Sequence, residues 1–345
     1  MKKIGILTGG GDCPGLNQAI RGTVLKANDL GFECVGLLEG WKGLIEGLSL
    51  PLTIEEVGPL MGKGGTILGS SRTNPYKKEN GVEKCLENMK KLGLEALVAM
   101  GGEDTLGVAN KFYKEHQLKV VGVPKTMDND LSATDYTFGF DSSVTVAVDA
   151  CERLKDTGRS HRRIMVLEVM GRHAGWVALF TGLAAGADWI LVPEEEAELK
   201  AMCDYLRKVH KKRRTALVVV SEGIKVPGVE VNKEKLDEFG HMLLKKRGVG
   251  DQIAEYIKKE TGIDTRAAVI GHIQRGGAPT VFDRILGLRT GVKAAELVAE
   301  GKFGQMVALR GNGIINVSLD EAVARLKTVT SEWSELARIG RKWEE

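Results

Sequence analysis

The sequence predicts an α/β protein made of two doubly wound domains. Three observations lead there. The chain has 345 residues, more than one ordinary core accommodates and enough for two. Six short apolar runs lack polar alternation, as parallel strands buried on both faces do. Helical patterns separate many of them, and strand–helix alternation defines the doubly wound, Rossmann-like class.

The strands come in order. Ile4–Thr8 ends in Gly9-Gly10-Gly11-Asp12, and Ala96–Met100 ends in Gly101-Gly102-Glu103-Asp104. Val120–Pro124 runs into Lys125-Thr126-Met127-Asp128-Asn129-Asp130. Ile164–Val169 is followed by Met170-Gly171-Arg172, Ala216–Val220 by Ser221-Glu222-Gly223, and Ala267–Ile270 by Gly271 to Gly277. Leu16, Ile20 and Val24 mark one face of a helix that Pro14 would open. Helices are also expected over 83–92, 144–154, 198–209 and 283–299, and one or two amphipathic helices from Leu319 onward. Residues 224–232 (IKVPGVEVN) read as a surface loop. Ligands of such sheets sit beyond the carboxyl ends of the strands. Polar residues follow all six ends, so the chain is expected to line one or two clefts. The domain break is placed after Phe138-Gly139 with a return near Arg275: residues 1–139 with 275–324, and 140–274 with 325–345.

Composition narrows the function. Lysine and arginine number 49 against 46 acids, a net charge of +3, too mild to argue for nucleic acid or a membrane surface. The 44 glycines suggest tight turns or backbone close to a ligand. Five scattered cysteines without a CxxC pair suggest reduced thiols rather than a disulfide framework. Met1-Lys-Lys runs straight into a strand, and no stretch approaches a membrane span, so a cytoplasmic protein is expected.

Three groups of residues carry chemistry. GGGDCPG at 9–15 joins a strand to a helix, and on its glycines it fits a backbone anion site or an ordinary tight turn equally. Residues 58–64 (GPLMGKG) imitate a Walker A loop but lack its length and its hydroxyl, and read as a turn. PKTMDND at 124–130 gathers two carboxylates, a hydroxyl and a lysine at a strand end. Phosphoryl transfer needs those types, though a solvated acidic turn has the same composition. Arg72, Arg172 and Arg275 lie beside glycines at predicted strand ends, and with Arg162, Arg163, Arg266 and His272 they suit phosphate. The other histidines show no metal spacing. His210–Arg214 reads as a solvated helix end, or more sharply as an effector-phosphate site.

GGGDCPG, GSSR, GGEDT, PKTMDND, VMGRHAGW and GHIQRGG, in that order between Lys2 and about Gly301, resemble the phosphofructokinase family. The resemblance implies that fold, Mg²⁺ dependence and a phosphoryl transfer to the 1-hydroxyl of fructose 6-phosphate. It makes Asp128 the general base, with Thr126 and Arg172 on the transferred group and Asp130 supporting metal and catalytic geometry. Gly11 and Arg72 become donor-phosphate contacts, and Glu103 the metal carboxylate, acting through water. Arg163, Arg266, His272 and Arg275 match the sugar 6-phosphate site, and Met170, Gly171 and Glu222 match sugar contacts. Arg163 and Arg266 arrive from a neighbouring subunit in the family, which implies a homodimer or homotetramer. The 1–139 unit would be the phosphoryl-donor domain and the 140–274 unit the sugar-phosphate domain.

Two positions bear on the donor. ATP-using relatives usually carry glycine where this chain has Asp104 and Lys125, whereas pyrophosphate-using relatives carry Asp and Lys. Asp104 would put bulk and charge where an ATP α-phosphate must lie, and Lys125 would meet the compact charge of pyrophosphate. A structural salt bridge between the two is the plainer alternative. Pyrophosphate is therefore the expected donor and ATP the alternative. Arg21 and residues 211–214 resemble effector contacts. Leu25 and Ile54 stand where regulated relatives carry arginine, so weak or absent nucleotide regulation is expected. A non-catalytic sugar-phosphate sensor would not need Asp128, Thr126 and Glu103 together, and a dinucleotide oxidoreductase would need a fingerprint the chain lacks.

Overall fold

The computed structural model describes residues 2–226, 238 and 248–339. The chain begins β1 (Lys2–Thr8), α1 (Leu16–Asp29), β2 (Phe32–Leu37), α2 (Trp41–Glu46), β3 (Ser49–Leu52) and α3 (Ile54–Val57). It continues α4 (Gly81–Lys91), β4 (Leu94–Gly101), α5 (Glu103–His116) and β5 (Val120–Pro124). The long α6 (Phe140–His161) then leads to a second sheet through β6 (Ile164–Val169), α7 (Trp176–Ala185), β7 (Trp189–Leu191), α8 (Leu199–Arg213), β8 (Ala216–Ser221), α9 (Val249–Thr261) and β9 (Thr265–Val269). Helix α10 (Val281–Ala299) returns to the first sheet, followed by β10 (Gln305–Arg310), β11 (Gly313–Ser318), α11 (Leu319–Val323) and α12 (Ser331–Ile339).

The first sheet has seven strands in the order β11-β10-β5-β4-β1-β2-β3, parallel except for its two antiparallel edge pairs. The second has four parallel strands, β7-β8-β6-β9. Central strands are apolar throughout because helices cover both faces: Ile4, Ile6, Val98 and Val121 lie in one buried cluster, and Leu7, Leu97 and Val120 in another on the opposite face. Helices α1 and α10 pack at glycine-sized distances. A Cβ on Gly291 would stand 2.1 Å from the carbonyl oxygen of Ala19, and one on Gly22 2.3 Å from that of Leu288.

Several expectations need adjustment. Pro14 precedes the first helical turn, because Gly15 is the cap, at a left-handed φ of 107°, and the helix opens at Leu16. Gly15 is required there twice over, since a Cβ would also lie 2.7 Å from the Phe138 ring. The helix expected over 144–154 extends from Phe140 to His161. The strand expected to end at Ile270 ends at Val269, and as an edge strand it is only partly buried. Ile224, expected on the surface, is 2 % exposed and packs in the second core, while residues 227–232 of that stretch lie outside the described residues. The Walker-like stretch is a short turn whose carbonyls are held from α1: Gln18 Nε2 donates to Leu60 and Met61 at 2.8 and 2.9 Å.

Candidate active site

All six sequence-identified strand ends feed one cleft between the two sheets. Gly10 and Gly11 follow β1, Glu103 and Asp104 follow β4, and residues 125–130 follow β5. From the second sheet come Met170 and Arg172 after β6, Glu222 after β8, and Arg275 beyond β9. Arg72 closes the rim. The expected donor residues Gly11, Arg72, Asp104 and Lys125 thus share a cavity with Thr126, Asp128, Asp130, Met170, Arg172, Glu222, Arg275 and Glu103.

The glycine loop turns carbonyls toward the cleft cations, while its Gly9 and Gly10 amides are taken by the Met100 and Ser71 carbonyls. Lys125 Nζ donates to the Gly11 carbonyl at 2.5 Å, and Arg275 Nη1 to the Asp12 carbonyl at 3.0 Å. A Cβ on Gly11 would meet Arg275 Nη1 at 2.6 Å. Glycine here lets two cations approach the backbone and fixes their positions at the cleft floor. Lys125 is buried, and that burial pulls its pKa below the ordinary lysine value.

The β5 loop supplies the acids. The amide of Asp128 donates to Thr126 Oγ1 at 3.1 Å, and Thr137 Oγ1 donates to the Thr126 carbonyl at 2.6 Å. Burial, with the charge of Asp130 adding to it, raises the Asp128 pKa to about 6, against the opposing pull of Arg275, Lys125 and Arg172. Asp130 is also raised, by burial first and by Glu103 among its neighbours. Glu222 is raised by burial and then by Asp128. Asp128 Oδ1 is buried and makes no hydrogen bond. A carboxylate with a raised pKa and a free oxygen, ringed by cations, is equipped to take a proton from a hydroxyl near neutral pH.

The remaining expected residues stand apart. Gly171, between the lining residues Met170 and Arg172, is not itself among them; it stands at φ 135°, its carbonyl accepting from Ser221 Oγ at 2.5 Å. His272 lies in the short turn 271–275 and is not among the lining residues. Arg163 and Arg266 lie elsewhere, both on Asp264: Arg163 Nε is 2.5 Å from Oδ2 and Arg266 Nη2 3.5 Å from Oδ1. Within one chain, then, the four residues matched to a 6-phosphate do not converge, and only Arg275 reaches the cleft.

The cleft also contains residues that the sequence reading did not assign. Thr105, Met127, His173 and Leu326 line it. His173 adjoins Arg172, so the same motif could have flagged it. Leu326 carries no local signal. Gln274 acts from behind: its Oε1 accepts from the Met170 amide at 2.8 Å and its Nε2 donates to Ser143 Oγ at 3.1 Å, joining the β6 loop to α6.

Among the described residues no group of three or more His, Cys, Asp or Glu side chains forms a metal cage. Glu103 and Asp130 nonetheless share the cleft with an excess of buried carboxylate. Few protein oxygens, with room for ligand oxygens, is the donor set that suits Mg²⁺ rather than zinc.

Two α/β sheets facing a cleft of cations and buried acids define a phosphoryl-transfer protein, and the chain belongs to the phosphofructokinase family, whose model matches residues 3–298. It is 54% identical, over 95% of both chains, to the pyrophosphate–fructose 6-phosphate 1-phosphotransferase of Dictyoglomus thermophilum. It is 44% identical, over 96% of both, to the ATP-dependent 6-phosphofructokinase of Corynebacterium efficiens. Among solved structures it resembles Pichia pastoris phosphofructokinase in the T-state, with a TM-score of 0.81 and 31% identity over 99% of this chain and 36% of that longer one.

Proposed function

We propose that the protein transfers a phosphoryl group from pyrophosphate to the 1-hydroxyl of fructose 6-phosphate, giving fructose 1,6-bisphosphate in glycolysis, in a reaction that runs both ways. The supporting observation is that Lys125 and Asp104 line one cleft together with Asp128. Asp128 takes the proton of the attacking hydroxyl. Thr126 and Arg172 hold the transferred group, Asp130 supports their geometry, and Gly11, Arg72 and Lys125 hold the donor. Asp104 occupies the way to an α-phosphate. Met170, Glu222 and Arg275 bind the sugar phosphate from the cleft lining, and Gly171 and His272, on the loops that carry Met170 and Arg275, complete its site once substrate is bound. Glu103 would hold Mg²⁺, which neutralises phosphate charge when bound.

In this reading the first sheet, with residues 1–139 and 275–324, is the donor domain, and residues 140–274 with 325–345 form the sugar-phosphate domain. The protein works as a homodimer or homotetramer in which Arg163 and Arg266 complete a neighbour's site. Their position outside their own cleft supports this, as do the exposed apolar side chains of Val269, Ile273, Val281, Phe282 and Ile285 on the chain that follows Arg266. All five cysteines are free, which fits a reducing cytoplasm. Among the described residues no helix is long and apolar enough to cross a membrane.

The deciding assay supplies fructose 6-phosphate and Mg²⁺ with pyrophosphate or ATP in parallel. Turnover with pyrophosphate at least about a hundredfold better in kcat/KM is expected, on the order of 3 kcal/mol of discrimination. The ATP-dependent relative of similar length keeps ATP as the second reading, and equal use of both donors would favour it.

A further inference from the structure

Residues 326–329 run between the two walls of the cleft. Leu326 lines it and pairs antiparallel with Leu131, and the Lys327 amide donates to the Asp130 carbonyl at 2.7 Å. Lys327 Nζ donates to Asn129 Oδ1 at 2.9 Å, to the Thr134 carbonyl at 3.0 Å and to the Asp135 carbonyl at 2.9 Å. Those three acceptors use every donor of an ammonium. Toward the other wall, the Lys327 carbonyl accepts from Trp176 Nε1 at 2.8 Å. The Val329 amide donates to Glu194 Oε1 at 2.9 Å, and that same oxygen takes the Gly175 amide at 2.9 Å. Gly175 and Trp176 open α7, directly after the Arg172 loop.

Asn129 gives this contact its leverage. It stands at φ 52°, in the left-handed region that asparagine tolerates better than most residues. Its Oδ1 is held twice, by Lys327 and by the Thr137 amide at 3.2 Å. The peptide units on either side of residue 129 decide where the carboxylates of Asp128 and Asp130 point. A clamp on Asn129 is therefore a clamp on both acids.

We propose that Lys327 is a positioning residue for phosphoryl transfer: its ammonium locks Asn129, and the 326–329 segment fixes the spacing between the Asp128 loop and the Arg172 loop. Lys327 is not among the cleft-lining residues, so it acts through Asn129. The proposal rests on the reading of Asp128 as the base.

The test compares full-length wild type with Lys327→Met, Lys327→Arg and Asn129→Ala. In Lys327→Met, kcat should fall about thirtyfold or more, because a displacement of ~1 Å at a reacting group is enough for such losses. KM for fructose 6-phosphate and for pyrophosphate should stay within about threefold, since ground-state binding is untouched. Lys327→Arg, which still donates, should recover most of the rate. Asn129→Ala should reproduce the loss, and the double variant should be no worse than either single one. A second readout needs no turnover: in Lys327→Met, amide hydrogen exchange over 126–137 should speed up about tenfold or more while β6 and β8 stay protected. If Lys327→Met does not fold, Asn129→Ala and Lys327→Gln carry the same comparison. An unchanged kcat, a loss confined to KM, or faster exchange throughout both sheets would overturn the proposal. A wild type inactive with pyrophosphate would instead sink the proposed function, and the exchange comparison would still decide the role of Lys327.

Discussion

Replacing Asp128 with asparagine should remove activity and stabilise the fold. The Asp128 pKa is raised from 3.8 to about 6, chiefly by burial and then by Asp130. Well below pH 3.8 both folded and unfolded states carry the proton, and the group costs nothing. As pH rises through the window between those two values the unfolded chain ionises first, and above pH 6 the full penalty falls on the folded state. Each pKa unit corresponds to about 1.4 kcal/mol, so the ceiling is about 3 kcal/mol. The charge is shared with Asp130 and the cleft admits solvent, which leaves about 1–2 kcal/mol. A neutral amide in the same place escapes that penalty. Urea unfolding at pH 7.5 should therefore show the variant more stable by that amount, with the gap closing as pH falls toward 4. Its kcat should drop about 10²–10⁴-fold, the usual range for loss of a general base. In the wild type, kcat/KM should fall as pH drops through about 6, when Asp128 of the free enzyme takes up its proton. A variant no more stable than wild type at pH 7.5 would show that burial of this acid is not costly. A kcat within tenfold of wild type would show that it is not the base.

Asp104→Gly should admit ATP and Lys125→Gly should weaken pyrophosphate turnover, each by several kcal/mol in kcat/KM, because charge facing phosphate in a closed site acts on that scale; a parallel two-donor assay reads both. Arg275→Ala should raise KM for fructose 6-phosphate about tenfold or more through the loss of a charge-assisted hydrogen bond worth roughly 1.5–3 kcal/mol, measured by steady-state kinetics. Arg163→Ala and Asp128→Ser, each inactive alone, should regain activity when unfolded and refolded together if sites are shared across subunits. No recovery in mixed oligomers would place Arg163 outside the site.

The strand ends were legible because a buried parallel strand needs an unbroken apolar run and a ligand loop needs glycine and charge, and the two meet abruptly at Thr8, Met100 and Pro124. Strands β2, β3, β10 and β11, the outer pairs of the first sheet, and the three-residue β7 at the edge of the second carry a weaker signal. The exposed faces of β2, β3 and β11 admit Glu33, Pro51 and Asn316, which dilute the pattern. Helix α5 begins at Glu103, so the acids read as a loop motif form its first turn. The cleft cations were recognised by type, but not by destination. Nothing in Arg163 or Arg266 foretells that both turn onto Asp264 while Arg275 turns inward. Asp264 itself, like Leu326 and Lys327, has no local signature, because its role is created only by chain segments that meet on folding.

The return of α10, β10 and β11 to the first sheet has a consequence for biosynthesis. Strands β6 to β9 lie within 164–269, so the second sheet is complete in one continuous stretch of chain. The first sheet starts at Lys2 but lacks two of its seven strands until Ser318 has been made. At ~5–20 residues per second, β5 waits about ten seconds or more on the ribosome with one edge unpaired. The sheet that begins first is thus the one that finishes last, and its open edge is what a nascent-chain chaperone would have to cover.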